Sequence, residues 1–207
     1  MEAVLIVTPI TLIGRHVRLE PMTEAHIPAL AEIGVGQSFW DFMLYGKMDS
    51  EADMANWVRD ILSRAERGTD LPFVAVHLAS GRVAGATRYL NITPEHRGLE
   101  IGGTWYGLEF QRTVVNTECK YLLLKHAFET LGCIRVQLKT DLRNERSQRA
   151  IERIGAVKEG VFRNHMILPD GRIRHSVFYS IIDSEWEGVK KRLEGMLGNA
   201  PTPPISG

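Results

Sequence analysis

Residues 99–155 decide the fold and read LEIGGTWYGLEFQRTVVNTECKYLLLKHAFETLGCIRVQLKTDLRNERSQRAIERIG. The segment opens with a strand-like run that ends at Tyr106, and a polar loop then leads into a long helix predicted over 115–131. Gly132 ends that helix, and the residues from Ile134 alternate between apolar and polar as in a half-buried strand. Because strand, helix and strand follow one another, they form a crossover unit whose two strands are expected to be parallel.

Periodic patterns on both sides of this segment extend the same architecture. Apolar residues recur at helical spacing between Met54 and Ala65 and predict an amphipathic helix. Three strand-like runs follow, and the turn residues 169–171 join two more strands near the end of the chain. The predicted element order is βααβββαβαββα, an α/β fold with one mixed sheet and helices on both of its faces. We expect a single domain over 1–197 and a disordered tail over 198–207.

The charge of the chain is balanced, with 25 basic and 25 acidic residues among 207. A nucleic-acid-binding domain usually carries a basic excess, so this composition does not favour nucleic acid as a partner. An anionic ligand could still be bound by a local basic patch or by backbone amides. The length suits one domain, and 44% hydrophobic residues provide enough apolar material for its core.

The two cysteines, Cys119 and Cys133, lack the spacing of a metal or redox motif, so we expect buried thiols, no metal site and a reducing compartment. The N-terminal segment is apolar but has no basic flank, which argues against a signal peptide. No apolar run has membrane-spanning length. These features together predict a cytoplasmic protein that does not associate with a membrane.

The loop 111–116, QRTVVN, leads into the long helix and is the first candidate binding site. The free amides and the dipole at a helix start attract phosphate without any net protein charge. Arg112 and Lys120 add positive charge at or near this end. Every helix has such a start, however, so local physics alone favours an ordinary helix end over a binding site.

A second candidate is the tetrapeptide 144–147, NERS, at the start of the next predicted helix. Asn144 is a natural N-cap, and Ser147 lies one turn further on, on the same face as Ile151. A hydroxyl on an apolar face needs a partner, which is either a backbone carbonyl one turn back or a ligand. The residues themselves leave both interpretations open.

Several segments together, EIGGTWYG, residues 111–156, EGVFR and LPDGRIRHSVFYSI, resemble the GNAT superfamily of N-acetyltransferases. Within it, they are most similar to the branch of ribosomal-protein N-acetyltransferases. The resemblance covers about residues 10–190, and its most specific parts are the crossover helix with its preceding loop and the Asn144-x-x-Ser147 motif. It implies a twisted, mostly antiparallel sheet with a central split between two parallel strands. It also implies acetyl-CoA as donor and a primary amine as acceptor, either a protein N-terminus or a small molecule.

The family pattern assigns expected roles to positions of this sequence. Backbone amides of the strand that ends at Tyr106 are expected to bind the pantetheine arm and to polarise the thioester carbonyl, and the loop 111–116 is expected to surround the pyrophosphate. Asn144 is expected to contact CoA, and Ser147 is expected near the sulfur as the catalytic proton donor. The full set of expected cofactor-binding residues is Gly103, Thr104, Trp105, Tyr106, Gln111, Arg112, Thr113, Val114, Val115, Asn116, Thr117, Asn144 and Arg146.

Two departures from the family pattern bear on these roles. Val114 stands where the phosphate loop usually has glycine, and valine resists positive φ, so the loop is expected to use ordinary backbone angles or to bind phosphate less tightly. Ile151 stands where many GNAT enzymes have a tyrosine acid, which moves the acid role to Ser147. Both departures motivate the alternative of a catalytically silent acyl-CoA sensor or a regulatory protein of the same fold.

The acceptor site is expected to involve the aromatic residues Phe39, Trp40 and Tyr45, which could equally cover the core. Arg88 ends a sheet strand where it could meet a substrate carboxylate, although a surface arginine is the default interpretation. His165 lies on a late strand of the kind that lines the acceptor site in this family, and an ordinary core or surface histidine is the alternative. By analogy with the branch, we expect a homodimer.

Overall fold

The computed structural model describes residues 5–198, so the predicted tail beyond Gly198 lies outside the described residues. The strands are β1 Leu12–Ile13, β2 Val17–Pro21, β3 Leu71–His77, β4 Val83–Thr93, β5 Gly98–Tyr106, β6 Arg135–Asp141, β7 Val157–Ile167 and β8 Ile173–Ile182. The α-helices are α1 Ile27–Gly34, α2 Glu51–Glu66, α3 Val114–Lys125, α4 Glu145–Arg153 and α5 Trp186–Gly198.

The eight strands form one sheet in the order β1-β2-β3-β4-β5-β6-β8-β7. β5 and β6 are parallel, and every other neighbouring pair is antiparallel. The connection between the two parallel strands runs through α3, which confirms the crossover unit predicted from the sequence. The predicted mixed, mostly antiparallel sheet is confirmed with it.

Helices cover both faces of the sheet, because its central strands have apolar residues on both sides. In β3, Phe73 belongs to the core formed with α3 and α5, and its neighbour Val74 belongs to the core formed with α1 and α2. The second core is aromatic. The ring centroid of Trp40 lies 5.7 Å from that of Trp57 and 5.2 Å from that of Trp105, and the centroids of Trp57 and Trp105 lie 5.9 Å apart. The cores fix the sheet rigidly between two helical layers.

The sheet splits at its centre. β5 and β6 pair only from Gly98 to Glu100 on one strand and from Arg135 to Gln137 on the other. Beyond Glu100, β5 continues with β4 alone and β6 continues with β8 alone. One edge of each strand therefore has no strand partner in this stretch, and the predicted central parallel-strand split is confirmed.

Two features of the fold differ from the sequence prediction. β1 was not predicted, because a strand of two residues is too short to show alternation. The helix predicted over 115–131 is α-helical only to Lys125 and then widens into the π-helical turn His126–Thr130.

Glu118 of α3 accepts hydrogen bonds from the backbone amides of Arg15, His16 and Val17 at 2.8, 2.7 and 2.7 Å, and so fixes the start of β2.

Candidate active site

A cavity of about 670 Å³ occupies the split between β5 and β6. The second half of β5 forms one wall, β6 and α4 form the other, and the loop before α3 closes one end. The aromatic segment before α2 borders the opposite end through Phe39, Phe42 and Tyr45. This volume is in the range of small-molecule and cofactor sites, so the split can accommodate a ligand.

A β-bulge lies in the cavity wall formed by β5. Ala86 of β4 is opposite Trp105, whereas Arg88 is opposite Gly102, so one residue of β4 faces both Gly103 and Thr104. Gly103 has a φ of +57°, and a Cβ built on it would lie 3.2 Å from the Arg88 guanidinium. Glycine is therefore favoured here, because another residue would be strained at this backbone angle and its Cβ would crowd Arg88.

The start of α3 is capped within the loop that closes the cavity. Thr113 is the N-cap: its hydroxyl accepts a hydrogen bond from the Val115 amide at 3.3 Å and donates one to the Phe110 carbonyl at 2.7 Å. Val114 is the first helical residue, so it needs no positive φ. Arg112, by contrast, has a φ of +61°, so the expectation of ordinary angles holds at Val114 and is wrong at Arg112.

Gln111 and Arg146 connect the three elements that meet at this end of the cavity. The Gln111 side-chain amide donates a hydrogen bond to the Tyr106 carbonyl at 2.9 Å, at the end of β5. The Arg146 guanidinium on α4 donates a hydrogen bond to the side-chain oxygen of Gln111 at 2.8 Å. The two contacts hold β5, the loop and α4 together at this end of the cavity.

The cavity is strongly positive although the chain as a whole is neutral. Its lining contains one carboxylate, Glu100, and eight basic side chains: Arg88, Arg112, Lys120, Lys139, Arg146, Arg149, Arg153 and Arg174. Three of these are paired with carboxylates, which leaves five without a salt bridge among residues 5–198. This arrangement favours an anionic ligand. It is a local basic patch of the kind that a balanced overall composition still allows.

The start of α4 presents the second candidate motif to the same cavity. Asn144 is the N-cap, and its side-chain oxygen accepts a hydrogen bond from the Ser147 amide at 3.0 Å. Ser147 and Ile151 both line the cavity. Within the described part of the chain the Ser147 hydroxyl takes no hydrogen bond, so it is available to a ligand rather than bonded to the carbonyl one turn back.

Glu100 is a site residue that the sequence analysis did not single out. It is buried, with 2% of its surface exposed, and it lies on β5 where the split begins. Its Oε2 accepts hydrogen bonds from Asn91 at 3.0 Å, Gln137 at 2.9 Å and Lys139 at 2.9 Å. Its Oε1 accepts none from the described residues. The only sequence signal was an acidic residue in an otherwise apolar strand.

The predicted site residues separate into two groups. Those that line the cavity are Phe39, Tyr45, Arg88, Gly103, Thr104, Trp105, Tyr106, Gln111, Arg112, Thr113, Asn116, Asn144, Arg146 and Ser147. Trp40, Val114, Val115, Thr117 and His165 do not line it. Trp40 is buried in the aromatic core, where its indole N–H donates a hydrogen bond to the Gly34 carbonyl at 2.7 Å. His165 lies on β7, 2.9 Å from the Ser176 hydroxyl.

The far end of the cavity is built around Arg88, which is buried and not a surface arginine. Its Nε lies 3.0 Å from the Asp70 carboxylate, and it donates a hydrogen bond to the Tyr45 hydroxyl. Arg174 donates a hydrogen bond to the Phe42 carbonyl at 3.1 Å and so fixes the aromatic segment against β8. A second cavity of about 540 Å³ adjoins the first here and shares Tyr45, Arg88 and Lys139 with it.

Over residues 5–198, no three His, Cys, Asp or Glu side chains are close enough together to hold a metal ion. In the same range no helix is both long enough and apolar enough to span a bilayer. Cys119 and Cys133 are buried free thiols, as predicted, and burial raises their pKa values to about 12 and about 11.

The split parallel pair and the cation-lined cavity at a helix start fit the class of proteins that bind an anionic cofactor. Residues 16–157 match the sequence profile described as "Acetyltransferase (GNAT) domain", and the chain therefore belongs to the GNAT acetyltransferase family. Enzymes of this family transfer an acetyl group and use acetyl-CoA as the donor. The family resemblance read from the sequence is confirmed.

Individual proteins agree with this assignment. A Bacillus subtilis (strain 168) protein named "Putative ribosomal N-acetyltransferase YdaF" is 34% identical over 113 residues, which are 55% of this chain and 61% of that relative's own length. A structure described as a "putative acetyltransferase" from T. thermophilus is 41% identical with a TM-score of 0.84, covering 92% of this chain and 98% of that one. A GCN5-related N-acetyltransferase from Brucella melitensis is 29% identical with a TM-score of 0.85, covering 92% and 86%.

Proposed function

We propose that this chain transfers the acetyl group of acetyl-CoA to a primary amine by direct attack of the amine on the thioester. The observation that carries the proposal is the cation-lined cavity in the β5–β6 split, which places a bulged strand edge, a helix start and a buried carboxylate around one space. Such a combination provides phosphate binding, carbonyl polarisation and proton acceptance at a single site.

The start of α3 is the proposed phosphate site. The first amides of α3 lack an intrahelical acceptor, the Val115 amide is bonded to the Thr113 hydroxyl, and Arg112 and Arg146 add positive charge beside them. Asn116 can add a side-chain donor, because it also lines the cavity. The unpaired edge of β5 then offers backbone groups to an extended arm that runs from this end toward the bulge.

Acetyl-CoA, when bound, supplies the acetyl group as an activated thioester. The bulge at Gly103 and Thr104 is the proposed place for its carbonyl, because the regular register with β4 is interrupted there and β6 does not pair with this stretch of β5. Fixed donors of this kind stabilise developing negative charge by about 3 kcal/mol each in comparable sites.

Glu100 is the proposed proton acceptor for the attacking amine. An alkyl or α-amino group is largely an ammonium ion near neutral pH and must lose a proton before or during attack. Glu100 is the one carboxylate that lines the cavity, and three donors on Oε2 hold it with Oε1 unoccupied by protein groups. Its position at the beginning of the split supports transfer of the proton to Oε1, directly or through one water.

The acceptor is proposed to enter from the end bordered by Phe39, Tyr45 and Arg88, where the second cavity adjoins the first. The acceptor is a primary amine of a protein N-terminus or of a small molecule. The name of the Bacillus subtilis relative makes a peptide with a free N-terminus the first acceptor to test, beside small amines.

Thiol release from acetyl-CoA tests this function with a panel of acceptors. The panel contains a peptide with a free α-amine, the same peptide with that amine blocked, a polyamine and an amino acid. We expect thiol release with at least one free amine, and a fall in kcat of about 10²-fold or more for Glu100→Gln. Glu159→Gln is the matched control, because Glu159 pairs with Arg135 away from the cavity.

A silent acyl-CoA binder is the second candidate, and Ile151 favours it because an isoleucine lines the cavity where a hydroxyl acid is common in the family. Calorimetry with CoA separates the two. Tight CoA binding without thiol release for any amine would support the sensor, whereas no CoA binding at all would exclude both functions. The cytoplasmic location and the homodimer stay predictions.

A further inference from the structure

Lys120 is a buried cation that the proposed reaction does not yet use. It lies on α3 with 7% of its surface exposed, and it lines the cavity. Its Nζ donates one hydrogen bond, to the Thr104 hydroxyl at 2.9 Å, and Thr104 is in turn 2.7 Å from the Thr87 hydroxyl. An ammonium group has three donors, and Lys120 makes no salt bridge within residues 5–198. Burying such a charge is costly unless something in the cavity compensates it.

The position of Lys120 separates it from the proposed phosphate site. It follows Val114 by six residues, so its Cα lies about 9 Å along the helix from the start of α3. Its side chain reaches Thr104, which is part of the β5 bulge where the thioester carbonyl is proposed to bind. Arg112 and Arg146 surround the other end. Lys120 therefore faces the reacting end of the donor and not its phosphates.

We infer that the Lys120 ammonium contacts the sulfur of the donor and stabilises the thiolate that acetyl transfer releases. This inference rests on the proposed function. In the balanced step, the amine nitrogen forms the C–N bond, the C–S bond breaks with its electron pair on sulfur, and the amine proton passes to Glu100 Oε1. Lys120 keeps its own protons and holds the thiolate as an ion pair, which compensates for the hydroxyl that Ile151 lacks.

The charged groups around Lys120 agree with this role. Burial lowers the pKa of Lys120 to about 8, while the Glu100 carboxylate on β5 opposes that shift, so the side chain is mostly an ammonium at neutral pH. The charged or titratable groups that act on Lys120 are Cys119 on α3 and Glu100 on β5. The others that line the same cavity are Tyr106 on β5, Arg88 on β4, Lys139 on β6, Arg174 on β8, Arg146, Arg149 and Arg153 on α4, and Arg112 in the loop. The anionic thiolate would add the negative charge that this group of mostly basic side chains lacks.

Ultraviolet absorbance of the thiolate in bound CoA tests the inference without any turnover. CoA is titrated into the full chain over a range of pH, with desulfo-CoA as the blank because it has the same adenine chromophore and no sulfur. We expect the thiolate-to-thiol ratio of bound CoA to exceed that of free CoA about tenfold or more at the same pH. Calorimetry gives the affinity for CoA in parallel, so that the ratio is measured on saturated protein.

Three variants assign the effect. Lys120→Met should abolish the rise in the thiolate ratio, Lys120→Arg should keep most of it, and Thr104→Val should reduce it because the ammonium loses its anchor. Lys191→Met is the matched control and should retain it, because Lys191 is exposed on α5 and does not line the cavity. Bound CoA with the thiolate ratio of free CoA in the unaltered protein, or a raised ratio that Lys120→Met leaves unchanged, would overturn the inference and leave the proposed function standing. Failure of the unaltered protein to bind CoA would overturn both.

Discussion

At the residue scale, the backbone amide and the side-chain hydroxyl of Ser147 have separate roles. The amide donates a hydrogen bond to the Asn144 side chain, so the N-cap of α4 does not depend on the Ser147 hydroxyl. Its hydroxyl lines the cavity and has no hydrogen-bond partner in the described residues. Removing the hydroxyl should therefore alter the site and leave the helix intact, because alanine is also a better helix former than serine.

Ser147→Ala tests the proposed contact with sulfur. We expect kcat to fall between about tenfold and a hundredfold, at or below the low end for acid catalysis, because a thiolate is only moderately basic and needs limited assistance. The affinity for CoA should change less than kcat, since the contact matters chiefly in the transition state. Steady-state kinetics with a saturating amine and calorimetry with CoA measure the two quantities.

Ser184→Ala is the matched control for this prediction, because Ser184 is exposed and lies before α5, away from the cavity. Its kinetics should equal those of the unaltered protein. An unchanged kcat for Ser147→Ala would remove Ser147 from the mechanism and leave Lys120 as the group that acts on the sulfur.

At the scale of the element, the loop before α3 shows where backbone strain is located. The family pattern puts glycine at the position of Val114, yet Val114 is the first helical residue and Arg112 has the positive φ of +61°. A non-glycine residue in the left-handed region costs about 1–2 kcal/mol. The protein therefore keeps a strained arginine at the mouth of a cation-lined cavity, where its charge can contribute to ligand binding.

Val114→Gly should leave the affinity for CoA equal or weaker and should destabilise the fold by up to about 1 kcal/mol. The reason is that glycine adds backbone freedom at a position whose helical angles valine already adopts. Denaturant unfolding and calorimetry with CoA check both parts. A gain in affinity of tenfold or more would mean that Val114 marks a degraded phosphate site, and this interpretation of the loop would be wrong.

Arg112→Gly is the informative comparison, since it should act in the opposite sense on stability. Glycine relieves the positive φ and should hold or raise the free energy of unfolding, while the loss of a cation should weaken CoA binding. If Arg112→Gly bound CoA as tightly as the unaltered protein, the phosphate site would depend on the backbone amides alone.

Locally encoded features of these elements were predictable from the sequence, and contacts between distant strands were not. The cap at Asn144 and the helix end at Gly132 depend on a few neighbouring residues, and the crossover unit follows from element order. Glu100 became a site residue, and Lys120 was placed at the bulge and not at the helix start, only through the register of β4, β5 and β6, which fixes the bulge and the point where the sheet splits. No periodicity along one segment reports such a register.

Across the whole molecule, charge and apolar surface are distributed unevenly although the composition is balanced. The cavity collects eight basic side chains against one carboxylate, while the formal net charge of the chain is zero. The excess acidic charge must therefore lie elsewhere in the chain. An acetyl-CoA molecule, which is polyanionic, would then be guided by the cavity itself and not by the overall charge.

The exposed end of the sheet is the other whole-molecule feature. β7 is the last strand in the sheet order, so its outer edge has no strand partner among the described residues. Most of its residues are exposed on both faces of the strand. Val161, Phe162 and Ile167 are apolar members of this group with 38%, 55% and 76% of their surface exposed, and Ile173 at the start of β8 extends the patch at 55%.

We expect this β7 edge to form the interface of a homodimer, because its exposed apolar side chains would otherwise form a patch left open to water. Phe162→Asp should convert the dimer to a monomer without unfolding it, since the ring is more than half exposed and a charge at the edge blocks pairing. Sedimentation velocity at micromolar concentration measures the change. Ile13→Asp is the matched control, because Ile13 is 67% exposed at the opposite edge of the same sheet, in β1. A dimer that persists in Phe162→Asp would move the interface to another surface, and a monomeric unaltered protein would exclude the homodimer itself.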